Sequence, residues 1–324
     1  METLADEFNT ALSVIGLGDK RQRAMDAHAE VRAVLEADDK LVANGVDTIL
    51  IGSYGRETAI YPGRDVDVFV KLPDCEEGPN ETYEMVRTAL ETEYGDRLDD
   101  SGSRSMKVEF PDDFWVDAVP AVPSESGHWQ IPQADENGDR TGWEETDPEE
   151  LGRLTIERNR DPKVDGQGSY VPTVKLVRQT RRHHLGDRKP RGLYLELETY
   201  WAFDAGVTGT SFAEIFADTL DRIASQLESG VVINDPALGR EFSPAPEATD
   251  LEHAATVFRD LATKAALALA ADRCEAARLW REILGKNERN SVFPIPSGCD
   301  EFGKKAATIA PIVDRGSREA RPFA

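Results

Sequence analysis

Lysine is scarce in this 324-residue chain, at 11 residues against 27 arginines, and acids outnumber bases by 61 to 38. The net charge of −23 leaves no broad basic footprint, so nonspecific binding to a long polyanion is disfavoured and nucleic acid is not an expected partner. Such acidity suits a salt-adapted surface kept soluble by self-repulsion; loss of folding on transfer to high salt would count against that reading. Long apolar runs are missing too. No stretch of 18 or more apolar residues occurs, which excludes a transmembrane helix and leaves no membrane partner. Met1-Glu2-Thr3-Leu4-Ala5-Asp6-Glu7 lacks the basic-then-apolar pattern of a secretory leader, so the expected location is the cytoplasm. Cysteine is limited to Cys75, Cys274 and Cys299, scattered without paired spacing. They read as thiols, with neither a cysteine zinc site nor a disulfide framework. No internal repeat is present, and the length allows one bilobal domain or two.

Against that background, acids stand in apolar surroundings. Asp65 and Asp67 open the strand-like run Asp65-Val66-Asp67-Val68-Phe69-Val70, and Asp117 lies inside Phe114-Trp115-Val116-Asp117-Ala118-Val119-Pro120. A carboxylate between valines on a buried strand is destabilising unless something neutralises it. Alternation sends Asp65 and Asp67 off one face. At ~4 Å and an effective dielectric of ~20, two such charges repel by about 4 kcal/mol. Asp117 from a neighbouring strand adds to the repulsion. The pattern calls for divalent cations. Two Mg²⁺ ions, with Mn²⁺ able to substitute, would turn the acids into a clamp for in-line displacement at phosphorus.

Upstream, the strand-like Val46-Asp47-Thr48-Ile49-Leu50-Ile51 is broken by Gly52 in Ile51-Gly52-Ser53-Tyr54-Gly55-Arg56-Glu57-Thr58. Glycine lets backbone approach a ligand, and successive N–H groups in a turn form an anion-binding concavity. Gly52 and Ser53, which adds a hydroxyl, therefore read as the cradle for a triphosphate. Alone, a Gly-Ser step is an ordinary turn and an Asp-x-Asp is a solvated strand end or a calcium loop. Their order along the chain is the signal.

The remaining pattern is coarse. An apolar stripe predicts a helix over 20–43, ended by Asn44-Gly45. Strands are expected near 46–51, 65–72, 105–110 and 114–122, with a helix at 83–94. Residues 133–148, rich in Asp, Glu, Gly and Asn, read as a surface loop. Helices are expected at 148–159, 171–184, 193–205 and 211–229, and a long one, with room for a break, at 249–284. The polar tail 304–324 has few anchors and reads as mobile.

The run from Gly52 to Val70 resembles the signature of the polymerase-β-like nucleotidyltransferases. More narrowly, the chain resembles the CD-NTases, prokaryotic relatives of cyclic GMP-AMP synthase and oligoadenylate synthetase. Val116-Asp117-Ala118-Val119-Pro120-Ala121 resembles that family's third-carboxylate strand. Gly127-His128-Trp129-Gln130-Ile131-Pro132, Trp143-Glu144-Glu145-Thr146-Asp147-Pro148-Glu149, Ile233-Asn234-Asp235-Pro236 and Trp280-Arg281-Glu282-Ile283-Leu284-Gly285 resemble later segments in order. The resemblance implies an α+β fold: a polymerase-β-like nucleotidyltransferase lobe packed on a helical second lobe, with the active site in the cleft between. It divides the chain into a catalytic lobe with N-terminal helices (1–147), a helical lobe (148–300) and a tail (301–324).

The resemblance also implies that Asp65, Asp67 and Asp117 are catalytic and metal-binding, and that Lys175, in Val174-Lys175-Leu176-Val177, reaches the triphosphate. Relatives often add a serine in the next helix, but Arg191-Gly192-Leu193-Tyr194-Leu195-Glu196 has none. The implied activity joins nucleoside triphosphates, ATP among them, into a cyclic di- or trinucleotide with release of pyrophosphate. That product would be an antiphage alarm signal of the CBASS type, diffusing to a separate effector. Regulatory or conjugating proteins are implied partners, and a tail ending Arg321-Pro322-Phe323-Ala324 would suit conjugation. Activation by duplex DNA, as in the animal enzyme, is not expected.

Several features stay open at this level. The basic run Arg178, Arg181, Arg182, His183, His184, Arg188, Lys189 and Arg191 is either a solvated helix end or a phosphate-handling wall. Tyr170, Tyr194, Tyr200 and Trp201 are core residues or, for one of them, a stacking partner for a base. The alternative functions are a nucleotidyltransferase acting on tRNA, protein or a small molecule, and an inactive nucleotide-binding module.

Overall fold

The computed structural model describes residues 4–306, apart from Asp112. The chain begins with α1 (Ala5–Ile15), α2 (Lys20–Ala37) and α3 (Asp39–Ala43). The pattern reading opened its first helix at residue 20 and did not include α1. It also ran one helix over 20–43, whereas the structure breaks it at Asp38. The Asp38 carboxylate accepts from Lys40 N and Leu41 N, both at 3.0 Å, and so starts a new helix.

The sheet is built from β1 (Asp47–Ile51), β2 (Asp65–Lys71), β3 (Leu98–Asp99), β4 (Met106–Phe110), β5 (Phe114–Pro123), β6 (Trp129–Ala134) and β7 (Arg140–Thr146). The one-turn α4 (Gly52–Gly55) follows β1, and α5 (Pro79–Tyr94) follows β2. The order is β1-β2-β5-β4-β3, with β6 paired to the end of β5 and β7 to β6. β2 runs parallel to β5, and its other neighbour β1 is antiparallel. Residues 133–148 are thus no plain loop. Asp135 turns the chain by accepting from Asn137 N and Asp139 N, but strands lie on both sides. Their side chains are mostly half-buried, which left no apolar alternation to read.

Alternation in β2 decides what each face does. Val66, Val68 and Val70 are fully buried on one side with Val116 and Ala118 of β5, packed under Val31 and Leu35 of α2 and Val86 and Leu90 of α5. Each such side chain contributes about 1.5–3 kcal/mol of burial. The odd-numbered residues of β2 and β5 take the opposite face, where Phe69, Val119 and Ala121 form a small separate cluster. Asp65, Asp67 and Asp117 share this face.

The second core is helical: α6 (Pro148–Arg158), α7 (Tyr170–Leu185), α8 (Gly192–Asp204), α9 (Phe212–Glu228), α10 (Ala248–Ala270) and α11 (Arg273–Leu284). Phe8 and Ile15 of α1 join this core, so the chain starts on the helical side before crossing to the sheet. The expected 249–284 helix divides at Asp272, whose carboxylate caps α11 through Cys274 N and Glu275 N. α8 is buried from Tyr194 to Tyr200, which makes it the centre of the helical layer.

The reading of the cysteines is corrected. Cys274 and Cys299 form a disulfide with Cα atoms 5.3 Å apart, while Cys75 is buried and free. Their separation of 25 residues carries no motif; the pairing arises because the chain turns back along α11 after Leu284. Among the described residues, no helix is long and apolar enough to cross a membrane. Of the tail, residues 307–324 lie outside the described residues.

Candidate active site

Strand register brings the acids together. Asp67 of β2 pairs directly with Asp117 of β5, and Asp65 pairs with Trp115 two residues before it. A carboxylate oxygen from each of Asp65, Asp67 and Asp117 lies within 4.8 Å of the others. Burial pushes Asp67 up, to about 7, and the Asp65 charge adds to it, while Arg56 and Arg178 pull the other way. Burial likewise pushes Asp117 up, to about 8, helped by the charge and hydrogen bond of Asp65. Two buried carboxyls, Asp67 and Asp117, that hold protons this tightly lack positive charge nearby. The donors of the trio are all hard oxygens, so the residues fit Mg²⁺ or Mn²⁺.

Gly52 stands opposite Asp67. It follows Ile51, which pairs with Asp67, and its φ is +66°. A Cβ on Gly52 would lie 1.7 Å from Asp67 Oδ2, so no side chain fits. Ser53 then anchors the next loop, its carbonyl accepting from Thr58 N (2.8 Å) and Ala59 N (2.9 Å).

A cleft of about 360 Å³ opens here, lined by Ser53, Gly63, Arg64 and Asp65 on one side and by Arg178, Arg181 and Arg182 of α7 on the other. The first part of the basic run is therefore a wall of this cleft. Its later members go elsewhere: His184 Nε2 meets Ile283 O at 2.9 Å, and Arg188 reaches His253. Arg182 donates to Tyr61 O, and Arg181 Nε donates to Pro190 O at 3.1 Å. Arg178 Nη1 is 3.1 Å from Glu196.

Lys175 is not brought into that cleft. It lines a neighbouring pocket of about 240 Å³ with Arg21, Tyr54 and Glu57, and Ala59 borders both. Burial lowers its pKa, and Glu57 offsets part of that. One turn on, Arg178 is the cation beside Ser53 and Asp65. Tyr170, Tyr194 and Tyr200 are buried in the helical core, and Trp201 Nε1 donates to Asn234 O at 2.8 Å.

Glu196 went unread in the sequence. It is 1 % exposed on α8 and accepts from Arg56 Nε at 2.7 Å, Thr58 Oγ1 at 3.1 Å and Arg178. Burial alone would raise its pKa, but Arg56 and then Arg178 hold it below the usual range. The signal was present. An acid inside Leu193-Tyr194-Leu195-Glu196-Leu197 poses the same problem as Asp67 between valines.

Residues 1–159 match the family model described as the Second Messenger Oligonucleotide or Dinucleotide Synthetase domain. A cyclic AMP-AMP-AMP synthase from an Acinetobacter species is 27% identical over 281 residues, covering 80% of this chain and 77% of that protein. Among solved structures, the CD-NTase CdnG of Bradyrhizobium diazoefficiens, in complex with GTP, superposes with a TM-score of 0.70 at 15% identity, covering 87% of this chain and 98% of that one. CdnC of E. coli MS115-1, in its HORMA-deltaN complex, gives 0.68 at 17% identity over 90% and 98% of the two chains. Vibrio cholerae DncV, a cyclic AMP-GMP synthase, gives 0.61 at 14% over 91% and 89%. Residues 1–159 therefore match a second-messenger synthetase domain, and the fold is that of the CD-NTases, the cyclic GMP-AMP synthase-like nucleotidyltransferases.

Proposed function

We propose that this protein joins nucleoside triphosphates, ATP among them, into a cyclic di- or trinucleotide second messenger, with release of pyrophosphate. The observation that carries the reading is the convergence of Asp65, Asp67 and Asp117 opposite a Gly52 with no room for a side chain, beside an arginine-walled cleft. The named activities of two relatives agree with it: one is a cyclic AMP-AMP-AMP synthase and another a cyclic AMP-GMP synthase.

In this reading Gly52 and Ser53 bind the donor triphosphate through backbone and hydroxyl donors, and Arg178 and Arg182 balance its charge. Lys175, expected in that role, lines the adjoining pocket, which meets the cleft at Ala59. Asp65, Asp67 and Asp117 would hold two divalent cations, Mg²⁺ or Mn²⁺, whose chemistry is to lower the acceptor hydroxyl's pKa and neutralise charge on the phosphates. Asp117, which pairs with Asp67 across the two strands, would take the hydroxyl proton. The oxygen–phosphorus bond forms in line as the α–β bridge bond breaks, and pyrophosphate leaves toward the arginines. The chain's contribution is positioning and charge stabilisation. A second round on the linear product closes the ring.

The product's place is antiphage defence of the CBASS type, acting in the cytoplasm through a separate effector. Regulatory proteins are part of this reading, since a structural relative was solved with a HORMA partner. The test is incubation with single and paired labelled nucleotides plus Mg²⁺, followed by resolution of phosphatase-resistant products. A low-mass cyclic product that disappears in Asp67→Ala supports the proposal. Label entering RNA or protein, or nucleotide binding without turnover of any combination, overturns it.

A further inference from the structure

Glu196 ties together parts of the cleft that come from distant stretches of chain. Its Oε1 takes Arg56 Nε at 2.7 Å, and its Oε2 takes Thr58 Oγ1 and Arg178 Nη1, both at 3.1 Å. Arg56 and Thr58 sit directly behind the Gly52-Ser53 turn: Arg56 N donates to Gly52 O at 3.1 Å and Thr58 N to Ser53 O at 2.8 Å. Arg178 belongs to α7, lines the cleft with Ser53 and Asp65, and acts on Asp67. One buried carboxylate therefore holds the turn from one side of the cleft and the arginine from the other.

The charges are also uneven. Arg56 and Arg178 share Glu196, so the cluster keeps one positive charge in surplus. The only part of it that borders the cleft is Arg178, whose side chain is 19 % exposed, whereas Arg56 is 7 %. The start of α8 packs against this arrangement. A Cβ on Gly192 would come within 3.5 Å of Arg178 Nη2, so the guanidinium lies close over the position where α8 begins.

We propose that Glu196 is a positioning residue for the triphosphate: it aims Arg178 into the cleft as the phosphate contact of the helical side, and it locks the Gly52-Ser53 turn at a fixed distance from that arginine. The inference rests on the nucleotidyltransferase reading. Guanidinium and phosphate pair by two parallel hydrogen bonds, which demands a fixed plane. A guanidinium already pinned by a carboxylate presents its remaining N–H groups without searching for the geometry.

The probe is inorganic tripolyphosphate with Mg²⁺, which carries the recognised group and no base. In Glu196→Gln, a near-isostere, the KM for nucleoside triphosphates and the inhibition constant of tripolyphosphate should rise together by ~10- to 100-fold, with a smaller loss in kcat. In an Arg178→Ala background the same change should add less than about threefold, because its route of action is already gone. Unchanged constants in Glu196→Gln, or full additivity with Arg178→Ala, would overturn the proposal. Should Glu196→Gln not fold, Arg178→Lys asks the same question, since an ammonium cannot keep both Glu196 and a phosphate in one plane. Wild-type constants in Arg178→Lys would then refute it. A wild-type protein that releases no pyrophosphate from any nucleotide refutes the function reading instead.

Discussion

Replacing Gly52 by alanine isolates the central contact of the site. The new Cβ would sit 1.7 Å from Asp67 Oδ2 and 2.7 Å from its Cγ, where ordinary contact begins at 3.4 Å. Asp67 must therefore retreat by about 1.7 Å, the difference between 3.4 and 1.7. A displacement of about 1 Å at a reacting centre costs on the order of 10²-fold in rate, so Gly52→Ala should lose at least that much. Alanine at φ +66° also carries about 1–2 kcal/mol of backbone strain, which by itself predicts only a few degrees in Tm. Gly230→Ala separates the two effects. Its φ is also +66°, but nothing lies within 4 Å of its Cβ position and it follows α9, away from the cleft. Both variants should melt slightly early, and only Gly52→Ala should fail to release pyrophosphate from a mixed nucleotide pool with Mg²⁺. If Gly52→Ala turned over within about threefold of Gly230→Ala, the close approach of turn and carboxylate would not be what the chemistry needs.

Three further outcomes follow from buried groups. Asp67 and Asp117 are raised to about 7 and about 8, by burial first and then by Asp65, so in the metal-free protein they lose protons late and their ionisation lowers stability as pH rises toward those values. Mn²⁺ must displace those protons, and its affinity, read by electron paramagnetic resonance, should climb between roughly pH 5 and 8 and then level; a pH-independent affinity would contradict this. Glu198 is fully buried, its Oε1 lacks a hydrogen-bond partner among the described residues, and burial raises its pKa to about 8. Its folded pKa exceeds the unfolded value, so it lowers stability progressively from about pH 4.5 to about 8. The Tm difference between Glu198→Gln and wild type should therefore grow over that window, and a constant difference would refute the assignment. Reducing the Cys274–Cys299 bridge frees a loop with a separation of 25 residues, a loss of about 3.5 kcal/mol by chain entropy, so dithiothreitol or Cys299→Ala should lower Tm by several degrees while Cys75→Ser leaves the effect of dithiothreitol unchanged.

What could be read from the sequence, and what could not, follows one physical distinction. Asp65, Asp67 and Asp117 were legible because alternation is local: the valines beside them fix which face they take, and an acid there has no cheap explanation. Gly52 was legible for the same reason, as a break between strand and turn. The elements that sequence misplaced depend on contacts made at a distance. The breaks at Asp38 and Asp272 needed the recognition that an aspartate inside an apolar stripe was a cap rather than a surface residue. The β6–β7 hairpin has half-buried polar strands, and the disulfide joins cysteines with no motif between them. Lys175 and Arg178 show the limit most clearly. They lie three residues apart on α7, a rotation of about 300° at 100° per residue, so they leave neighbouring but distinct lines of one face. Only the packing of α7 against α8 and the Ser53 loop decides which of the two borders the cleft. Periodicity finds the face of a helix. Choosing between adjacent cations on that face required Glu196, a residue whose meaning depends on Arg56, 140 positions earlier in the chain.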